Sequence, residues 1–271
     1  MIKKLKKLVR EVLLKFNINI YLLTSLNQIN TFLKFFEIKI PNNIDLIRVG
    51  SKNDGGYLVP NILNQIKFCY SAGIGNSIKF EKDLLKYKII SFGADRTIEN
   101  IPEKIENYNF LKKNIGIVND ETTIRFEDWI NKNTPNDNSL IGQIDIEGGE
   151  YNLIIDTPVE TFKKFKILVI EFHNLSKVSN KIIYDNYFSC FDKILKIFNI
   201  CHIHINNAEK PIKVRGIQIP PLLEITFLNK DFYSGKIKDE VNIPNKLDNK
   251  NIESKDDFQF DVHWIKNIKK I

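Results

Sequence analysis

Along the first 36 residues, apolar positions recur with a helical period. Ile2, Leu5, Leu8, Val9, Val12, Leu13 and Phe16 come every three or four residues with lysines between them, which predicts an amphipathic basic helix over residues 1–16. Leu22, Leu26, Ile29, Leu33 and Phe36 repeat that spacing in a second helix, and Pro41 closes the region. From residue 66 short apolar runs alternate with amphipathic stretches, the pattern of βα units around a mainly parallel sheet. Strands are expected at 66–72, 88–92, 115–118, 140–146, 165–171, 200–205 and 222–227, with helices at 77–87, 125–133, 149–155 and 181–197. The predicted fold class is therefore α/β, a seven-stranded, mostly parallel, doubly wound sheet with helices on both faces. A helical extension occupies residues 1–40 and the sheet domain residues 41–271. Residues from about 234 to 258, rich in Lys, Asp, Asn and Glu, are expected to form a loose surface segment.

Composition narrows the setting. Hydrophobic residues make up 43% and charged residues 27% of the chain, ordinary globular usage. The net charge of +7 is concentrated in residues 1–16, where Lys3, Lys4, Lys6, Lys7, Arg10 and Lys15 face the single acid Glu11. The remainder is only mildly basic, and its aromatics do not interleave with a basic stripe, which argues against a nucleic-acid partner. The basic helix has two readings: it packs on the domain or on a second copy in a homodimer, or it lies peripherally on an anionic membrane surface. Cys69, Cys190 and Cys201 cannot all pair within one chain and form no C-x-x-C motif, so a reducing compartment is expected. No apolar run reaches the roughly 18–20 residues of a membrane span. Arg10, Glu11 and Lys15 interrupt the place where a signal peptide needs its apolar centre. The expected location is cytoplasmic, with contact at the inner face of the membrane left open.

Several blocks carry chemistry. Ser71-Ala72-Gly73-Ile74-Gly75-Asn76 stands between a predicted strand and a predicted helix, where glycines let the backbone approach a ligand closely. The third glycine of a dinucleotide fingerprint is missing, which disfavours NAD. Asp95 ends the next strand about 20 residues on, where an acid can accept hydrogen bonds from both ribose hydroxyls; alternatively it caps a helix together with Thr97. In the block Leu140–Tyr151 an apolar strand runs into Asp145, Glu147 and Glu150, a crowding that needs a ligand, a cation or hydrogen bonds to offset it. Two-residue periodicity puts Glu171 and His173 on one side of their strand and His202 and His204 on one side of theirs. Three of the chain's four histidines are thus expected at neighbouring strand ends.

Read in order, DGGY (54–57), SAGIGNSIKFE (71–81), FGADRTIE (92–99), IDIEGGEY (144–151), IEFHN (170–174), HIHINN (202–207) and PPLLEITF (220–227) resemble the FkbM family of methyltransferases, over roughly residues 45–230. That resemblance implies a class I methyltransferase fold of Rossmann-like type and S-adenosylmethionine as methyl donor. It also implies an O-methylation of a sugar or another hydroxyl-bearing product. A glycan precursor or nucleotide-linked sugar of bacterial surface or capsular polysaccharide is the expected acceptor. Ser71, Gly73 and Gly75 would border the methionine part of the cofactor and Asp95 its ribose. Many methyltransferases have an acid where this chain has Ser71, so Asp54 or Asp145 is the expected substitute for holding the amino group.

Methyl transfer to a hydroxyl requires removal of its proton, and His173 or His204 is the expected general base, with Glu171 or Glu147 orienting the imidazole. A divalent cation held by some of Asp145, Glu147, Glu171, His173 and Asn206 is a variant of the same chemistry. Two readings from other classes compete: a glycosyltransferase or other nucleotide-sugar enzyme whose acids hold a metal and a diphosphate, and a non-catalytic scaffold.

Overall fold

The computed structural model describes residues 21–233, 235–261, 263 and 264, with 12, 13 and 15 in addition. The basic helix expected over residues 1–16 lies outside the described residues, apart from 12, 13 and 15, which are helical. Among the described residues no helix is long and apolar enough to cross a membrane.

The second predicted helix exists as α1 (Leu26–Leu33), extended by a 3-10 turn at Lys34–Phe36. Ser25 starts it with a capping box, its hydroxyl accepting from the Gln28 amide while Gln28 reaches back. Ile29, Phe32 and Phe36 are fully buried, whereas Leu22 and Leu26 at the start of the stripe stay exposed. Phe32 and Phe36 pack edge-on and tilted against Phe191 at 5.2 and 5.1 Å, so residues 29–36 belong to the main core.

A mixed seven-stranded sheet is the centre of the molecule. Its strands are β3 (Phe68–Ala72), β4 (Ile90–Ala94), β5 (Tyr108–Leu111), β8 (Leu140–Ile144), β9 (Phe165–Phe172), β10 (Phe198–Ile205) and β13 (Leu223–Asn229), while β11 (Ile212–Val214) and β12 (Ile217–Ile219) pair with each other outside it. They lie in the order β10-β13-β9-β8-β3-β4-β5, all parallel except β13, which runs antiparallel to both of its neighbours. Strand β8 and most of β9 are buried on both faces, as expected for parallel strands covered by helices. The crossover helices are α2 (Lys79–Leu84), α3 (Phe126–Asn133), α4 (Glu150–Asp156), α5 (Val159–Lys163) and α6 (Lys181–Ile197). Helix α6 has the predicted bounds; Asn180 accepts from the Ile182 amide at its N-terminus, and its apolar face buries Tyr184, Phe191 and Ile194.

Three regions differ from the reading of the sequence, two of them in the strands. The strand expected at 115–118 is not in the main sheet. The edge position is taken by β5, while β6 (Asn114–Gly116) pairs in parallel with β7 (Thr123–Arg125) in a separate small sheet. The apolar run was misleading because Ile117 and Val118 project outward; β5 was inconspicuous because a half-exposed edge strand needs no continuous apolar run. The second difference lies upstream, where β1 (Leu46–Gly50) and β2 (Gly56–Pro60) form a hairpin laid across the sheet. Strand β2 is buried throughout, and Thr226 of β13 donates to the Leu58 carbonyl at 2.7 Å.

The hairpin loop is rigid for identifiable reasons. Arg48 donates to the carbonyls of Ser51, Lys52 and Asn53 at 2.9, 2.9 and 3.0 Å, and Gly50 takes a φ of +94°, where a Cβ would lie 2.4 Å from the Gly55 carbonyl oxygen. This loop carries Asp54 over the ends of the central strands.

The segment expected to be loose is instead fastened down. Asn207, just past β10, accepts from the Ile252 amide at 2.8 Å and donates to the carbonyls of Ile252 and Asp256. Asn53 donates to the Lys250 carbonyl at 3.0 Å, and Asn251 is buried. Polar composition here signals side chains that bond to backbone and to the sheet edge, not disorder.

Candidate active site

One lateral row of the sheet brings most of the candidate residues together. Glu171 of β9 stands opposite Glu224 of β13, and Glu224 opposite His204 of β10. On the other side of Glu171, Asp145 follows the last residue of β8, its amide donating to Ala72 of β3 at 2.9 Å just before Gly73. Strand-end geometry therefore lines up Gly73, Asp145, Glu171, Glu224 and His204, and the hairpin loop sets Asp54 above them. Single carboxylate oxygens of Asp54, Glu171 and Glu224 lie within 4.8 Å of one another.

At the β3 end the chain turns on Gly73 and Gly75, both with positive φ (+77° and +51°). A Cβ on Gly73 would lie 1.7 Å from the Asp145 carbonyl oxygen, whereas one on Gly75 would meet nothing within 4 Å. The first glycine permits close strand packing and the second leaves open space. Asp95, beyond β4, is buried and accepts from the Gly75 amide at 2.9 Å and from the Thr97 amide and hydroxyl at 2.7 and 2.6 Å. Both readings of Asp95 thus meet in one residue: it braces the turn after its own strand, and it borders the space over the glycines.

Two cavities flank this turn and share Gly73, Gly75, Asp145 and Glu147 as a common wall. One, of about 330 Å³, is completed by Asp95, Arg96, Thr97 and Lys113. The other, of about 230 Å³, is completed by Asp54, Tyr57, Asn76, Phe80, Glu81 and Gln143. Jointly they match the size of small-molecule sites, about 300–1,000 Å³. A larger cavity, of about 480 Å³, lies between Ile38, Asp45, His202 and residues 238–247, away from the glycine turn and the acid row. We place the chemistry at the paired cavities because the polar groups converge there.

His173 stands at their rim. Its Nδ1 is 3.1 Å from Glu150 Oε1, and its Nε2 is 3.3 Å from Glu147 and 3.7 Å from Asp145. The turn that makes this possible holds Glu147 at φ +55° and Gly148 at +105°. Glu150 is fully buried and braces the turn before its own helix by accepting from the amides of Ile146 and Gly148 at 3.2 and 3.0 Å. Burial opposes charge on His173, but the Glu150 hydrogen bond and the surrounding carboxylates outweigh it and raise the imidazole to about 9. Burial raises Asp145 to about 7 despite His173, and its Oδ1 is buried without a hydrogen-bond partner. Burial and the facing Glu224 push Glu171 well above the carboxylate range; Glu224 is raised to about 8 by burial.

His204 is placed differently. It is buried and donates from Nε2 to Asn251 Oδ1 at 3.1 Å, and Asn251 in turn donates to Asp54 at 3.1 Å and to Glu224. Burial lowers its pKa, so it is a neutral donor. Next to it, His202 pairs with Asp248 at 2.9 Å. The HIHINN stretch therefore fastens residues 245–257 to the sheet, and its histidines reach the acid row only through Asn251. Asn206 donates to Glu171 at 2.8 Å.

Of the ten residues singled out from the sequence, Asp54, Gly73, Gly75, Asp95, Asp145 and Glu147 border the cavities, His173 and Glu171 adjoin them, and His204 reaches them through Asn251. Ser71 is fully buried under the turn beside Cys69. Sequence reasoning missed Glu224, Asn251 and Glu81 as site residues, and it marked Glu150 only as part of the acidic block. A lone acid inside the apolar run Leu222–Phe227 was a usable signal for Glu224; Asn251, in a polar stretch, offered none. Two groups among the described residues have the donors for a divalent cation: Asp145, Glu147 and His173, and Asp54, Glu171 and Glu224. No known family model matches the chain, and no curated protein matches it.

Proposed function

We propose that the chain is an S-adenosylmethionine-dependent O-methyltransferase acting on a sugar hydroxyl, in a cytoplasmic step of surface-glycan synthesis. One observation carries the reading: Asp95 is hydrogen-bonded to the open glycine turn of the neighbouring strand, and both border the same cavity. That is the arrangement in which an acid receives ribose hydroxyls while a glycine bend admits the rest of a nucleoside ligand. The open space at Gly75 and the orphaned Asp145 Oδ1 fit such a guest. The mostly parallel seven-stranded sheet agrees with the class I methyltransferase fold that the sequence resemblance implies.

The bound donor would supply an electrophilic methyl group; the protein's part is to hold the acceptor in line and take its proton. Glu171 and Glu224 supply acceptors for sugar hydroxyls. The proton acceptor is Asp145, which lies in the shared wall and whose raised pKa suits neutral pH. His173, charged at neutral pH, steadies the carboxylates around it, and His204 positions Asn251.

Calorimetric titration tests the reading: S-adenosylhomocysteine should bind saturably, and nucleoside diphosphate sugars should not compete for the same cavity. Binding of a nucleoside diphosphate that strengthens with Mn²⁺, with none of S-adenosylhomocysteine, would instead support a nucleotide-sugar enzyme using the two carboxylate groups.

A further inference from the structure

The cavity of about 230 Å³ has a one-sided charge. Asp54, Glu81, Asp145 and Glu147 line it, and none of its described lining residues is Lys, Arg or His. Glu81 is the unusual member. It lies on α2, just after the glycine turn, is 2% exposed, and its Oε2 has no hydrogen-bond partner. Burial pushes its carboxyl above the ordinary range, and the nearby Ser71 hydroxyl acts the other way by favouring the charged form. Phe80, beside it, packs edge-on against Tyr57 at 5.9 Å and fixes the position of α2 relative to the hairpin. A buried carboxylate oxygen left unpaired is destabilising, a penalty that a cationic guest would remove.

We propose that Glu81 Oε2, with Asp54 of the same cavity, receives the ammonium group at the amino-acid end of the methyl donor. The inference rests on the function proposed above and deepens it. It accounts for the departure at Ser71: an acid there would crowd a second carboxylate against Glu81, whereas a hydroxyl supports it. The anchoring acid has thus moved from the end of the first central strand to the helix behind the turn. Asn76 and Ser77, in the same wall, offer donors for the neighbouring carboxylate of the ligand.

Calorimetry on the full chain with two ligands tests this. S-adenosylhomocysteine carries the amino-acid end; 5′-methylthioadenosine keeps the adenosine and the sulfur but lacks it. Glu81→Gln should weaken S-adenosylhomocysteine by about 10- to 100-fold, the range for a charge-assisted hydrogen bond, and leave methylthioadenosine unchanged. Unchanged affinity for S-adenosylhomocysteine, or equal weakening of both ligands, overturns the assignment while leaving the methyltransferase reading intact. Wild-type protein that binds neither ligand overturns both. A second arm needs no variant: S-adenosylhomocysteine lacking only its amino group should bind the wild-type chain at least about 10-fold more weakly, and equal binding refutes the proposal.

Discussion

Asp95 and Gly75 are joined by a 2.9 Å hydrogen bond from the glycine amide to the carboxylate, across 20 residues of chain. The bond orients an acid that faces the cavity, so Asp95→Ala removes both a brace and a ligand contact. We expect about 10- to 100-fold weaker binding of S-adenosylhomocysteine, measured by calorimetry. Unaltered affinity would place the nucleoside elsewhere.

Asp145 and His173 predict the pH dependence of turnover. Activity needs Asp145 deprotonated and His173 charged, so kcat/KM should rise through a pH of about 7 and fall through about 9. The two limbs belong to the coupled pair. In His173→Gln the alkaline limb should disappear; its persistence would take His173 out of the charge balance.

The two histidines should separate in kinetics. His173→Gln should lower kcat by about 10-fold or more, because Asp145 loses the charge that steadies it. His204→Gln, whose amide can still donate to Asn251, should change kcat by less than about fivefold and act mainly on thermal stability. Equal losses of kcat would restore His204 to the reacting centre.

Glu224 makes stability depend on pH. Its folded-state value, raised to about 8 from 4.5, means that the folded chain keeps a proton the unfolded chain gives up. The resulting stabilisation is complete below about pH 4.5 and is lost as pH rises through about 8, at up to about 1.4 kcal/mol per pH unit. Glu224→Gln should melt like the wild type at pH 5 and higher than it at pH 8.5, a difference scanning calorimetry resolves. A wild-type melting temperature flat across that interval would contradict the buried acid pair.

The sheet was legible because parallel strands covered on both faces read as apolar runs, and α6 because its stripe is long and Asn180 marks its start. Asp145, Glu171 and His173 were legible because polar groups at the C-terminal ends of such strands stand out. The β1–β2 hairpin was not, since its apolar residues lack a distinguishing period and its position over the sheet is a tertiary fact. Asn251 and Asp248 were hidden for the opposite reason. Their segment looks solvated, and its order comes from bonds to Asn207 and His202, some 45 residues earlier.

That late fastening bears on how the protein is made. While the chain is being synthesised, the sheet is complete in sequence at Asn229, yet Glu224 and His204 have no amide to bridge them until Asn251 emerges. The nascent chain therefore passes through a stage with its acid row unfinished, Asp54, Glu224 and His204 still lacking the amide that joins them.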